Sequence, residues 1–241
     1  MMQELIRLFG YGLCHQLPER TLQSGGFYFT VCARDTGIHI GFAAALLVAA
    51  VQFAWYRRRG QLVPADLPPV PILIILALSI IPLAWDGLTS YLGLRETTNL
   101  IRYLTGMCCG VALGSLTAPL LAAATATADR QRKAYQRPAS FILQLGGSLA
   151  LCGGFYLLYP GWGVWAAWVG IAALLCALIS LNLLVFSATL FKQPLQRWWQ
   201  WLPWLALALL ATLVELTILG LLRYLLLEPL LHSLTLWNLL L

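Results

Sequence analysis

Charge is what this sequence lacks: Asp, Glu, Lys and Arg make up only 10% of its 241 residues, too few to solvate the surface of a water-soluble domain of that size. A soluble globular core is thereby excluded. Histidine occurs three times, and no Cys-x-x-Cys pair occurs, so the commonest zinc-knuckle spacing is missing. Four of the six cysteines, Cys108, Cys109, Cys152 and Cys176, lie inside apolar runs, where a thiol behaves as a small hydrophobe. Residues 1–13 show no secretory signal, because Glu4 and Arg7 interrupt a short apolar content and no small-residue cleavage pattern follows. The N-terminus is therefore expected to be the encoded one. The net charge of +6 is not read as a nucleic-acid footprint, since the basic residues fall in short connections between apolar runs.

What is abundant is apolar sequence, 60% of the residues with a mean hydropathy of +0.79. Several runs are long enough to cross a hydrocarbon layer that needs roughly 20 helical residues. The expected fold is all-α, a polytopic integral membrane helical bundle of about six transmembrane helices, near residues 38–56, 70–85, 100–124, 141–159, 164–186 and 201–226. Three regions follow: an extramembrane or interfacial motif segment at 1–37, a membrane core with three spans at 38–124, and a C-terminal region with three more at 125–241. Residues 3–13 carry an apolar stripe suited to a short interfacial helix. Arg57, Arg58, Arg59, Arg130, Arg132, Lys133, Arg137, Lys192 and Arg197, nine of the 15 basic residues, fall in three connections on one side. The positive-inside bias then predicts a multi-pass protein of the cell membrane with both termini outside.

Against this apolar background, residues 14–35 concentrate two thiols, one imidazole, two carboxylates and two guanidiniums. Cys14, His15, Cys32 and Asp35 have the donor types of a tetrahedral zinc site, with Cys32 and Asp35 at knuckle-like spacing. A disulfide between Cys14 and Cys32 is the rival, closing a loop worth about 3 kcal/mol on an oxidising membrane face. His39 is set aside as a hydrated interfacial residue. A second polar island runs from Asp86 to Arg102. Arg95, Asn99 and Arg102 would share one stripe of a helix beginning near Arg95, with Asp86 across a turn, either fastening it as an ion-pair partner or acting as a general base. Arg20, Arg34, Arg95, Asn99 and Arg102 are the expected ligand-binding set, guanidinium forks being suited to the phosphate or carboxylate of an anionic lipid. With a metal alongside, hydrolysis or transfer at that group is the chemistry implied.

Elsewhere, Gly106, Gly110, Gly114 and Ala118 repeat every four residues and predict close packing, with span four (Gly146, Ala150, Gly154) as the natural neighbour. Glu215, alone among apolar residues in span six, is either functional or bonded to a neighbouring helix through Asn182. Arg223 is expected to snorkel to the interface, and His232 has no evident partner.

The chain resembles a family of prokaryotic membrane proteins known only as a domain of unknown function. The resemblance lies in Cys14-His15-Gln16, Pro18-Glu19-Arg20, Cys32-Ala33-Arg34, Thr36-Gly37-Ile38, Gly41, Asp86-Gly87-Leu88-Thr89, Leu94-Arg95-Glu96-Thr97-Thr98-Asn99, Arg102, Thr105-Gly106 and Gly110. It covers residues 14–114. The family usually carries Cys where this chain has Asp35, itself a competent zinc ligand. No activity comes with the resemblance; it implies which residues belong together. The leading expectation is a metal-dependent membrane enzyme or binding protein for an anionic lipid-linked ligand. A non-catalytic subunit docking membrane-protein partners, or a transporter, are the alternatives.

Overall fold

The computed structural model describes residues 1–190 and 194–229. Among them are six helical segments long and apolar enough to cross a membrane, as expected. Lys192 and the C-terminal residues from Leu230, His232 included, lie outside the described residues.

The chain opens with α1 (Met2–Gly10), a short amphipathic helix burying Ile6. A hairpin follows, β1 (Gln23–Ser24) with β2 (Phe27–Tyr28), turned by Gly25 and Gly26 at φ +55° and +82°. It leads into α2 (Ala33–Arg58), the first span. The second span is broken: α3 (Val70–Leu78) gives way to α4 (Ile81–Tyr91) at Ser79-Ile80. Pro82 lies in the first turn of α4, where its missing N–H leaves the Leu78 carbonyl without a helical donor. The helix continues past Trp85, so Asp86, Thr89 and Ser90 stand on α4 rather than in a loop.

The third span, α5 (Asn99–Ala122), begins where the Thr98 hydroxyl accepts from the Ile101 N–H at 3.3 Å. Arg95 therefore precedes the helix and does not share its stripe with Asn99 and Arg102. The connection from α5 includes β4 (Ala128–Lys133), which pairs in parallel with β3 (Val63–Asp66) and ties two basic loops together, a feature with no signal in the sequence. The remaining spans are α6 (Pro138–Leu158), α7 (Val164–Thr189) and α8 (Leu202–Leu222).

The small-residue ladder of α5 packs against α2, not against α6. A Cβ at Gly106 would lie 2.0 Å from the Arg34 carbonyl oxygen, and one at Gly110 2.0 Å from that of Ile38. Neither position can carry a side chain while the two backbones touch. The expected partner, α6, leaves Gly146 and Gly154 facing open space. It is held instead by buried Gln144, whose amide donates to the Ala45 carbonyl (2.9 Å) and Ser115 Oγ (3.1 Å) and accepts from Gln52 Nε2 (2.9 Å). That clasp joins α2, α5 and α6.

Candidate metal and anion site

The loop after α1 is pinned by Gln16. Its side-chain amide donates to the Arg7 carbonyl at 2.6 Å and the Thr30 carbonyl at 2.7 Å. Two such bonds offset the roughly 1–2 kcal/mol cost of a left-handed backbone, φ +56°, at a residue with a Cβ. The loop and the hairpin thereby meet, bringing Cys14 to the start of α2. There Cys32 is the N-cap and Asp35 sits in the first turn. The Cys32 N–H donates to Cys14 Sγ at 3.2 Å, and Cys32 Sγ donates to Asp35 Oδ2 at 3.2 Å. Donor atoms of Cys14, Cys32 and Asp35 all lie within 4.8 Å of one another, and both thiols are free.

The hydrogen bond from Cys32 holds the Cys14 thiol down to about 7, against burial, which pushes it up. The same contact, helped by burial and the Asp35 carboxylate, pushes Cys32 up. Cys14 is thus the more easily ionised of the two thiols, and a metal that takes both as thiolates would release their protons.

The trio opens onto a cavity of about 330 Å³ lined also by His15, Arg20, Arg34 and Arg102. His15 is exposed and lines the cavity without joining the trio. Arg34 is half-buried. One of its terminal nitrogens bonds Asp86 Oδ2, while its Nε is buried with no hydrogen-bond partner among the described residues. Arg102 is oriented by Asn99, whose Oδ1 accepts from Nη1 at 3.0 Å while its Nδ2 donates to the Glu19 carbonyl at 3.2 Å.

Asp86 is fully buried, and its other oxygen accepts from Arg95 Nη2 at 2.5 Å and Thr97 Oγ1 at 2.7 Å. Arg95 also donates from Nε to Thr89 Oγ1 at 3.1 Å. Within its own island Asp86 is fastened to Arg95 and not to Arg102, and Arg34 is added from the other island. Neither Arg95, Asn99 nor Asp86 lines the cavity.

Two supports went unread in the sequence. Gln16 appears there only as a motif letter, and its role needs the hairpin. Arg223, expected to snorkel, reaches the loop after α1: its Nη1 donates to the carbonyls of Tyr11 and Cys14, 2.5 Å each, and its guanidinium lies 4.4 Å from the Tyr11 ring centroid. Span six thereby buttresses the loop that carries Cys14. Glu215, by contrast, accepts from Asn182 Nδ2 at 3.1 Å, the interhelical bond expected as its structural alternative.

Fold and site together define a multi-pass membrane protein with a thiol and carboxylate cluster able to hold a metal ion at one end of its bundle. Comparison with known sequences places it more closely. The chain belongs to the DUF2085 family of predicted membrane proteins, whose profile matches residues 14–116. Over 105 residues, 44% of this chain and 84% of the relative, it is 37% identical to an uncharacterised protein of Methanothermobacter thermautotrophicus. Over 98 residues it is 33% identical to an uncharacterised protein of Methanocaldococcus jannaschii, covering 41% of this chain and 56% of that one. No solved structure matches.

Proposed function

We propose that this protein binds a thiophilic divalent metal, zinc by donor type, through Cys14, Cys32 and Asp35, and takes an anionic headgroup onto Arg20, Arg34 and Arg102 beside it. The observation that carries this reading is the convergence of both donor sets on one cavity, one of whose lining residues, Arg34, has a buried Nε without a hydrogen-bond partner among the described residues. An N–H so placed costs free energy unless an acceptor arrives, and a phosphate or carboxylate oxygen is the acceptor that guanidinium groups favour. The basic loops at 57–59 and 130–137 support an outward-facing site with both termini outside.

Within this proposal Asp86 is a strut rather than a general base. Both of its oxygens are engaged by cations or a hydroxyl, and its carboxylate is sealed from the cavity. It sets the angle of Arg34, while Asn99 sets that of Arg102. Arg95 completes the strut.

Metal analysis of the detergent-purified chain tests the reading. About one ion per chain is expected in the wild type, with loss in Cys14→Ser, Cys32→Ser and Asp35→Ala. Wild-type protein that stays metal-free after equilibration with zinc overturns it. An intact mass two hydrogens lighter before reduction, with Cys14 and Cys32 protected from alkylation until then, supports the disulfide in its place. For the anion, phosphorus extracted with the lipid phase identifies a lipid headgroup and phosphorus left in the aqueous phase a soluble phosphate. Its absence from both, with no phosphate binding by titration, sinks a phosphate assignment and leaves the carboxylate to be titrated.

A further inference from the structure

Three protein donors leave one position of a tetrahedral ion unfilled, and the cavity offers His15 for it. A second imidazole, that of His39, stands on α2 outside the group of donor atoms that lie within 4.8 Å of one another. His39 follows Asp35 by four residues and Cys32 by seven on α2, so at about 100° per residue the three share one helix face. Cβ atoms four residues apart on a helix lie roughly 5–6 Å from one another, a spacing at which two side chains reach one ion. The Nδ1 of His39 is buried and has no hydrogen-bond partner among the described residues. A buried imidazole nitrogen in that state costs free energy that coordination would offset. His15 carries no such debt, being exposed.

We infer that His39, by a side-chain rotation that brings its ring onto the trio, is the fourth protein ligand, completing a closed Cys14, Cys32, Asp35 and His39 site for a divalent metal of zinc type. This rests on the metal reading proposed above and refines it. A site closed by four protein donors holds its ion as a fixed structural charge next to the arginines, rather than offering an open position for chemistry. Three of the four ligands then come from the first two turns of α2 and its N-cap, and Cys14 is the one long-range ligand. Ion binding would therefore lock the loop after α1 onto the first span.

Cobalt(II) titration of the full chain in detergent tests this, because visible bands report tetrahedral geometry and ultraviolet charge transfer reports thiolate ligation. The wild type is expected to give a tetrahedral spectrum with thiolate charge transfer. In His39→Ala the visible envelope should change and the dissociation constant rise about tenfold or more, while His15→Ala matches the wild type. His39→Cys should recover the affinity and add charge-transfer intensity, a gain that a packing role for His39 would not produce. A His39→Ala variant that binds cobalt with wild-type affinity and spectrum overturns the inference and leaves the three-donor reading standing. So does a His15→Ala variant that alone loses the tetrahedral bands. Wild-type protein that binds no cobalt removes both.

Discussion

Spans one and three, which lie almost wholly within the residues 14–116 that the family profile matches, and spans four and six, beyond them, are both apolar, yet they pack by different physics. In the first pair the backbones of α2 and α5 touch: 61% of the α5 span window is buried inside the protein, against 22% for the span containing α6 and 11% for the last. Lipid is as apolar as leucine, so burial alone gives membrane helices little reason to associate. Glycines at Gly37, Gly106 and Gly110 bring α2 and α5 to backbone contact, and the site is built on that contact. The fourth span meets that pair through side chains instead, with Gln144 as a polar clasp and Cys152, Phe155 and Tyr156 packed around Tyr103, and the last span is held by the Asn182 to Glu215 bond and Arg223. Site geometry is thus anchored in the pair that has least freedom to shift.

The largest expected effect separates two glycines. Gly110→Val places a branched side chain where a Cβ is already 2.0 Å from a carbonyl oxygen, and should cost about 4 kcal/mol or prevent accumulation of folded protein. Gly154→Val, facing open space, should stay within about 0.5 kcal/mol of the wild type. Equal losses in detergent unfolding would erase the contrast. Next comes Asp86→Asn, which leaves the half-buried Arg34 without its carboxylate. A loss of about 3 kcal/mol is expected, most of it from that partner, because the Arg95 side chain is 35% exposed and screened. An unchanged unfolding midpoint would show that the strut carries nothing. Smallest is Gln144→Leu, which removes the clasp of α6 at about 1 kcal/mol. A loss as large as that of Gly110→Val would place the fourth span in the rigid unit after all.

Much of the site was legible because its residues are expensive where they stand. Cys14, Cys32, Asp35, Asp86 and the arginines stand out against a chain almost free of charge, and their membership of one end of the bundle follows from span parity. Their division of labour was not legible. Arg95 and Arg102 look equivalent at regular spacing, but the Thr98 cap starts the helix after Arg95, which sends one arginine to Asp86 and the other to the cavity. The partner of the glycine ladder was equally hidden, since a stripe of small residues records close approach without naming what approaches. In the sequence, His39 is a lone imidazole at a helix end with a hydrated explanation, and only its buried Nδ1, unpartnered among the described residues, removes that explanation.

By itself the sequence determined that this chain spans the membrane through six apolar helices, because uninterrupted apolar runs of about 20 residues can satisfy their backbone groups in hydrocarbon only as helices, the strands of a barrel being shorter and alternating. It also determined where the polar chemistry lies along the chain. Only the tertiary structure decided which helices touch, which arginine faces the cavity, and that Gln16 and Arg223 hold the Cys14 loop in place. Those are long-range contacts between short polar groups and backbone carbonyls, and neither hydropathy nor periodicity carries a record of which carbonyl a side chain will reach.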